Sequence, residues 1–363
     1  MQKLRISKRY YKFPNPFKFL KVILKKKLGW LGTPKILPYI AYGNEDKIVI
    51  TGAVIEDKGL SKPENEQSLF SNMIAMIKRY SGDELAGVRV KIEYNGTEKT
   101  IQTNEHGIFH TIIPNSIGYN PDHEWLSINY KLVDEVVENQ GAIEVSGEVY
   151  IVNPQASFVV VSDIDDTILV SHSTNLFRKI RLMLFKNAMT RMPLDGVSLF
   201  YKMLNKSDEH GSRPIFYVSG SEWNLYDLLI DFFEFQKIPK GPLLLSGYKT
   251  KLFRLWRSGN KFQDKRLKIK DLFERFYDQS FILIGDSGQK DPEIYLKILE
   301  MFPSRIKAIY IRYTGGKKRN IRLERLAEES EKLGSRMVII HTTEEAIKHA
   351  SENGFIDKDI LQS

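Results

Sequence analysis

The chain has no cysteine among its 363 residues, so neither a disulfide framework nor a thiolate site is open to it. No apolar run approaches the roughly 18 residues that span a bilayer. The first residues lack an uninterrupted apolar segment followed by a small-residue cleavage site, so no secretory signal is expected and a cytoplasmic location is the default. The G-x-x-x-x-G-K-[ST] and G-x-G-x-x-G patterns are both missing, which removes the signatures of nucleotide and dinucleotide folds. Acid is missing from residues 1–44, which hold 11 Lys and Arg. The remaining 319 residues carry 43 basic against 45 acidic residues, so the formal charge of +9 arises entirely in this N-terminal arm.

What is present is the composition of a soluble globular protein, 42% hydrophobic and 27% charged, with length for two domains. The arm suits an anionic surface, lipid or nucleic acid. Between Phe17 and Leu31 lysines alternate with bulky apolar residues. On a helical wheel Lys18, Lys21, Lys25 and Lys26 share one side, with Leu20, Ile23, Leu24 and Leu28 mainly opposite. A short basic amphipathic helix of this type lies in a membrane interface, or packs its apolar side on the protein's own body.

From Lys47 the pattern changes to short alternating or β-branched runs: Lys47–Ile55, Gly87–Tyr94, Glu98–Thr103, Ile108–Ile113, Trp125–Tyr130 and Val145–Val152. Asn95-Gly96 is a hairpin signal between two of them. A helical repeat runs from Leu69 to Tyr80. Residues 45–155 therefore read as a small antiparallel β-sandwich. His106, His110 and His123 form no ligand constellation there and are read as structural.

Asn153-Pro154 marks a boundary, after which strands alternate with helices. Strands are predicted at Phe158–Val161, Ile215–Val218, Leu243–Leu245, Phe281–Ile284, Ile306–Ile311 and Met337–Ile340. Helices are predicted at Leu176–Asn205, Glu222–Phe235, Leu267–Phe276, Pro292–Met301 and Arg322–Leu333. The alternation implies an α/β domain over 156–363 with a parallel sheet covered on both faces.

The first of those strands ends in Asp163-Ile-Asp165-Asp166-Thr167, where ligands bind in open α/β sheets. Clustered carboxylates repel unless a cation or protons intervene. Oxygen-only ligands without nearby histidine or cysteine suit Mg²⁺. A calcium loop would need glycine where Ile168 stands. The second strand ends in Ser219-Gly220-Ser221 just before a predicted helix, a ready anion site. The fourth ends in Gly285-Asp286-Ser287-Gly288-Gln289-Lys290-Asp291, and the lysine-rich stretch Lys261 to Lys270 lies between. Nucleophilic acid, anion cradle, lysine and metal acids together describe phosphoryl transfer through an aspartyl-phosphate.

On Ser162-Asp-Ile-Asp-Asp-Thr-Ile168, Leu283-Ile-Gly-Asp-Ser-Gly-Gln289 and Asp291-Pro-Glu-Ile-Tyr295 the sequence resembles the haloacid-dehalogenase superfamily. More narrowly it is similar to the actin-patch phosphatidate phosphatases, with Pro38-Tyr39, Tyr42-Gly43 and Gly241-Pro242-Leu243-Leu244-Leu245 in support. The likeness covers about residues 25 to 355. It implies a Rossmannoid catalytic domain without a large cap. By resemblance Asp163 is the nucleophile, and Asp165 is the acid and base that Thr167 orients. Mg²⁺ is held by Asp163, Asp286, the Asp165 carbonyl and Asp291, and the phosphoryl oxygens by Ser219, Gly220 and Ser221. Lys265 matches the family lysine by spacing, with Lys268 and Lys270 as rivals, and Asp264 stands where the family usually has histidine.

The intervals from Asp165 to Ser219 and from Ser219 to Lys265, about 50 residues each, leave no room for a large lid. Such a site suits a phosphate displayed on something bulky. A lipid phosphomonoester such as phosphatidate is the leading substrate, reached at an anionic membrane through residues 1–31, with peripheral membrane association and no nucleic-acid partner expected. The alternatives are a phosphatase for soluble phosphomonoesters and a non-catalytic membrane-binding module. A serine hydrolase built on Ser287 lacks the G-x-S-x-G elbow.

Overall fold

The computed structural model describes residues 24–25, 28–57, 82–164, 195–206, 212–246, 261–315 and 317–357. The Leu69 to Tyr80 repeat, most of the basic arm, the first part of the Leu176–Asn205 helix, Asp165 and Thr167 lie outside these residues.

The N-terminal half is built of β1 (Pro34–Pro38), β2 (Ala41–Gly43), β3 (Lys47–Glu56), β4 (Arg89–Tyr94), β5 (Thr97–Gln102), β6 (Ile108–Pro114), β7 (Trp125–Leu132) and β8 (Glu144–Ile151). The six strands expected from alternating and β-branched runs are all present. β1 and β2 are additional, and they come from the segment read as arm. Two prolines and Lys35 hide β1, although its Ile36 and Leu37 are buried. Asn95 and Gly96 both have positive φ, as a two-residue hairpin loop between β4 and β5 requires.

Instead of the two separate antiparallel sheets of a sandwich, these strands form one mixed sheet in the order β1-β3-β2-β8-β7-β4-β5, with β6 also on β3. β2 and β8 pair in parallel. The reason is local: the chain breaks at Tyr39–Ile40, so β1 and β2 follow each other along β3, and β2 then bridges β3 to β8. The sheet curls until its end strands meet. Lys99 Nζ donates to the Ile112 carbonyl at 3.0 Å, and Asn95 Nδ2 to Ser116 Oγ at 3.1 Å. Ile48, Ile50, Val90, Ile92, Ile128 and Val149 belong to one apolar core inside the curl.

The C-terminal half alternates β9 (Val159–Asp163), α1 (Asp195–Asn205), β10 (Ile215–Glu222), α2 (Tyr226–Phe235), β11 (Leu243–Ser246), α3 (Lys261–Arg275), β12 (Phe281–Asp286), α4 (Asp291–Met301), β13 (Ile306–Arg312), α5 (Lys317–Lys332), β14 (Met337–Ile340) and α6 (Thr343–Glu352). All pairings in this sheet are parallel, in the order β11-β10-β9-β12-β13-β14. That is the 3-2-1-4-5-6 order of a doubly wound sheet, with its switch point beside β9. Successive valines of β9 face opposite layers. Val160 packs with residues of α1, α2 and α6. Val159 and Val161 pack with residues of α3, α4 and α5.

Both layers also contain residues of the first half: Leu37, Tyr39 and Ile55 in one, Tyr42, Val49 and Tyr150 in the other. Tyr39 stacks on Tyr226 with ring centroids 4.0 Å apart, and the Ile40 amide donates to the Tyr226 hydroxyl at 2.6 Å. The two sheets are packed as one body.

The start of the chain departs from the expected wheel. Leu28 N donates to the Leu24 carbonyl and Trp30 N to the Lys25 carbonyl, with Gly29 at φ +65°, so a helical turn ends in a Schellman-type cap. Lys25 does not face outward. Its Nζ lies 2.8 Å from Glu56 Oε2 and 2.8 Å from Asp83 Oδ2, while Leu24 and Leu28 are exposed. Burial of Glu56 beneath the turn explains this, since a buried carboxylate needs a cation and donors, and here it gains Lys25 and the Gly32 amide.

Candidate active site

Asp163 is the last residue of β9 and Asp286 the last residue of β12, its neighbour in the sheet. Asp291 opens α4 five residues later. The three side chains are buried, and one oxygen from each lies within 4.8 Å of the others. Gly285 permits the approach. A Cβ there would sit 2.7 Å from Asp291 Oδ2 and 2.8 Å from the Tyr295 ring. Asp291 Oδ2 also accepts the Asp286 amide at 3.3 Å, and Asp286 Oδ1 accepts the Gly288 and Gln289 amides at 2.5 and 3.1 Å. The G-D-S-G-Q-K-D segment is therefore a turn folded around its own two acids.

Lys265 enters from α3. Its Nζ is 2.7 Å from Asp163 Oδ1 and hydrogen-bonds Asp291 Oδ1. Burial works against the ammonium, but the charges of Asp163 and Asp291 and the bonds to them outweigh it and raise its pKa above the ordinary lysine value. Burial lifts the Asp291 carboxyl above its ordinary range. Lys265 opposes that shift and the Asp286 charge adds to it.

The rival lysines are elsewhere. Lys268 donates to the Ser219 carbonyl at 3.3 Å and to Ser246 Oγ at 3.0 Å, and pairs with Asp264 at 2.9 Å. Lys270 pairs with Glu274 on the helix surface. The distinction was present in the periodicity: Lys265, Ile269, Leu272 and Phe273 share the buried face of α3. Spacing from Gly285 alone did not use it.

Ser219 follows Val218, the register partner of Asp163, so it stands on the adjoining strand at the same edge. Its hydroxyl accepts the Ser221 amide at 2.9 Å. The expected helix start at Glu222 is displaced. β10 runs on through Ser219, Gly220 and Ser221 to Glu222, a 3₁₀ turn spans Trp223–Leu225, and α2 begins at Tyr226. The segment expected to cradle an anion is thus a strand end and not a helix N-terminus. Ser287, the candidate of the hydrolase alternative, is tied to Thr314, whose amide donates to its Oγ at 2.9 Å. His106 pairs with Glu84 and His110 shares a hydrogen with Thr51, so the two do not converge. Sequence reasoning did not single out Tyr201 of α1, whose hydroxyl meets Ser162 Oγ at 2.5 Å directly behind Asp163.

Three carboxylates opposed by the Lys265 charge leave a surplus of negative charge in a water-poor edge. The donor set is all oxygen, which fits Mg²⁺. Residues 158–313 match the family model described as phosphatidate phosphatase APP1, catalytic domain. Over these residues, less than half of the chain, it is similar to that family. It is 34% identical over 155 residues to phosphatidate phosphatase APP1 of Saccharomyces cerevisiae, covering 42% of this chain and 25% of the yeast protein. An uncharacterised protein of Schizosaccharomyces pombe is 25% identical over 274 residues, 72% of this chain and 43% of the other. The chain thus spans less than half the length of either relative. Among solved structures, a carbohydrate acetylesterase from Xanthomonas citri aligns at a TM-score of 0.29 and 10% identity over 85% of this chain and 68% of that one, too weak to bear on the fold. No helix among the described residues is long and apolar enough to cross a membrane.

Proposed function

We propose that this chain is a Mg²⁺-dependent phosphomonoesterase of haloacid-dehalogenase type, acting on phosphatidate or a related lipid phosphomonoester. The observation that carries the reading is the buried Asp163–Asp286–Asp291 triad with Lys265 bonded into it. Likeness to the APP1 catalytic domain supports the substrate class.

Asp163, Asp286 and Asp291 would hold the cation, which when bound supplies charge neutralisation to the phosphoryl oxygens. An Asp163 carboxylate oxygen attacks phosphorus, and the bond from phosphorus to the ester oxygen breaks. Asp165, outside the described residues, gives its proton to that leaving oxygen, with Thr167 orienting it. Water then attacks the aspartyl-phosphate and passes a proton to the Asp165 carboxylate, so inorganic phosphate leaves and Asp163 is restored. Lys265 pairs with Asp163 and offers positive charge to the negative phosphoryl oxygens. Ser219, Gly220 and Ser221 line the adjoining strand end as the phosphoryl cradle. Lys268 and Asp264 hold that strand end through the Ser219 carbonyl and Ser246.

The test is phosphate release from a panel of soluble and lipid phosphomonoesters, with Mg²⁺ or EDTA, and with Asp163→Asn as control. Mg²⁺-dependent release led by phosphatidate and abolished in the variant is expected. Release confined to small esters would remove the lipid substrate. Activity that survives in Asp163→Asn would remove the covalent mechanism.

A further inference from the structure

The turn formed by residues 24–31 is fixed on its inner side and apolar on its outer side. Leu31 is buried in the core of the first sheet, and the Gly32 amide donates to Glu56 Oε1 at 2.9 Å. Lys25 is clamped between Glu56 and Asp83. Outward, Leu24 is 49% exposed, Leu28 53% and Trp30 71%. Leu24 and Leu28 are four residues apart on a turn closed by the Leu28 N to Leu24 carbonyl bond, so they share a face. Holding three large apolar side chains in water on a rigid turn serves no folding purpose that burial elsewhere would not serve better.

The turn also lies at the catalytic end of the molecule. Glu56, which anchors it, follows Ile55, and Ile55 and Leu37 line a small cavity with Trp223, Asn224 and Tyr226. Trp223 directly follows β10, the strand that carries Ser219. At the same sheet edge α5 opens after β13 with Lys317, Lys318 and Arg319 and no acid in its first turn, and its Ile321 is 70% exposed. Residues 1–23 add seven Lys and Arg and no acid. Apolar side chains that include a tryptophan, on a turn that follows a basic stretch in the sequence, match the two layers of an anionic bilayer, acyl boundary and charged headgroups.

We propose that Leu24, Leu28 and Trp30 form a wedge that enters the acyl boundary of an anionic membrane, and that the Lys25–Glu56–Asp83 clamp fixes this wedge so that the Asp163 edge faces the lipid headgroups. The proposal deepens the lipid-phosphatase reading and rests on it for the orientation of the catalytic edge. It keeps the apolar side of the expected amphipathic helix as the contact and departs from it at position 25, where the lysine is an internal fastener.

The experiment compares the full chain with a Leu24→Ser, Leu28→Ser, Trp30→Ser variant, which keeps every basic residue. Binding is measured by co-sedimentation with phosphatidylcholine vesicles with and without phosphatidylserine, at low and high salt. Hydrolysis is measured on vesicle phosphatidate and on a soluble aryl phosphate. The expected result is a loss of vesicle affinity of about tenfold or more that persists at high salt, where charge attraction is screened. Soluble-ester turnover stays unchanged. A Lys25→Met variant is expected to keep vesicle binding but to lose vesicle hydrolysis relative to soluble hydrolysis. Unchanged vesicle binding in the triple variant would overturn the wedge. So would a wild-type dimer, seen by light scattering, that the same substitutions dissociate. Vesicle binding that depends on the wedge in a protein hydrolysing nothing would sink the phosphatase reading and leave the wedge standing.

Discussion

Replacing Lys265 with methionine keeps most of the side-chain volume and removes one charge from the centre of the site. Its Nζ is 2.7 Å from Asp163 and also bonded to Asp291, with all three groups buried. Removing one partner of a buried ion pair costs about 3–5 kcal/mol, because the remaining charge is left without compensation. Against a typical total of roughly 5–15 kcal/mol, that is a large share of stability. The pH dependence has a definite sign. Burial already lifts Asp291 above its ordinary value, and loss of Lys265 removes the group that opposes the shift. In the variant the folded Asp291 carboxyl holds its proton more tightly than the unfolded one, so stability falls as pH rises through its raised value. The deficit relative to wild type is therefore largest near pH 8 and shrinks near pH 5. Urea unfolding in EDTA at the two pH values measures it, and Mg²⁺ should restore about 2.7 kcal/mol at a hundredfold excess over its dissociation constant. A deficit below about 1 kcal/mol at pH 8, or one that does not change with pH, would refute the view that Lys265 is the counter-charge of this cluster.

Gly285→Ala should cost about 1–3 kcal/mol and reduce phosphate release, because the new methyl group meets Asp291 and Tyr295 inside 3 Å; thermal unfolding and kcat on a soluble ester would reveal it, and wild-type values for both would contradict the close approach. Tyr226→Phe should cost about 1–3 kcal/mol by leaving the Ile40 amide without its acceptor. Because that contact joins the two sheets, both halves should unfold in one transition at a lowered midpoint, and separate transitions in wild type would show that they are independent.

Much of this architecture was legible before the structure. Buried strands such as Phe281–Asp286 announce themselves by unbroken β-branched and aromatic runs, and the acids follow directly where the runs stop. β1 escaped because proline and lysine interrupt its pattern while tertiary packing, not propensity, buries it. α6 was missed although Thr342 caps it, accepting the Glu345 amide, in a T-x-x-E box. Its apolar stripe is short, with Ala346, Ile347 and Ala350 doing the packing. Ser219 does stand near the end of its strand, but the helix after it begins later than expected because nothing in Ser-Gly-Ser-Glu marks where β10 stops. Lys25 could not be read from a wheel, since its partners Glu56 and Asp83 are brought to it by strands distant in sequence.

Similarity to the APP1 catalytic domain stops at residue 313, but the packed body does not. β14 and α6 lie beyond that border, where Met337–Ile340 pairs with β13 and Ala346, Ile347 and Ala350 share a cluster with Tyr310. On the other side, Leu37, Tyr39 and Ile55 of the first sheet cover the same cluster. The segment matched by the catalytic-domain model is thus smaller than the packed body. An excised 158–313 fragment would bare both a strand edge and an apolar underside. The edge that holds Asp163 and Asp286 therefore depends on apolar cover from outside the matched segment, and a polar substitution at Leu37, Tyr39 or Ile55 would loosen that edge without touching it.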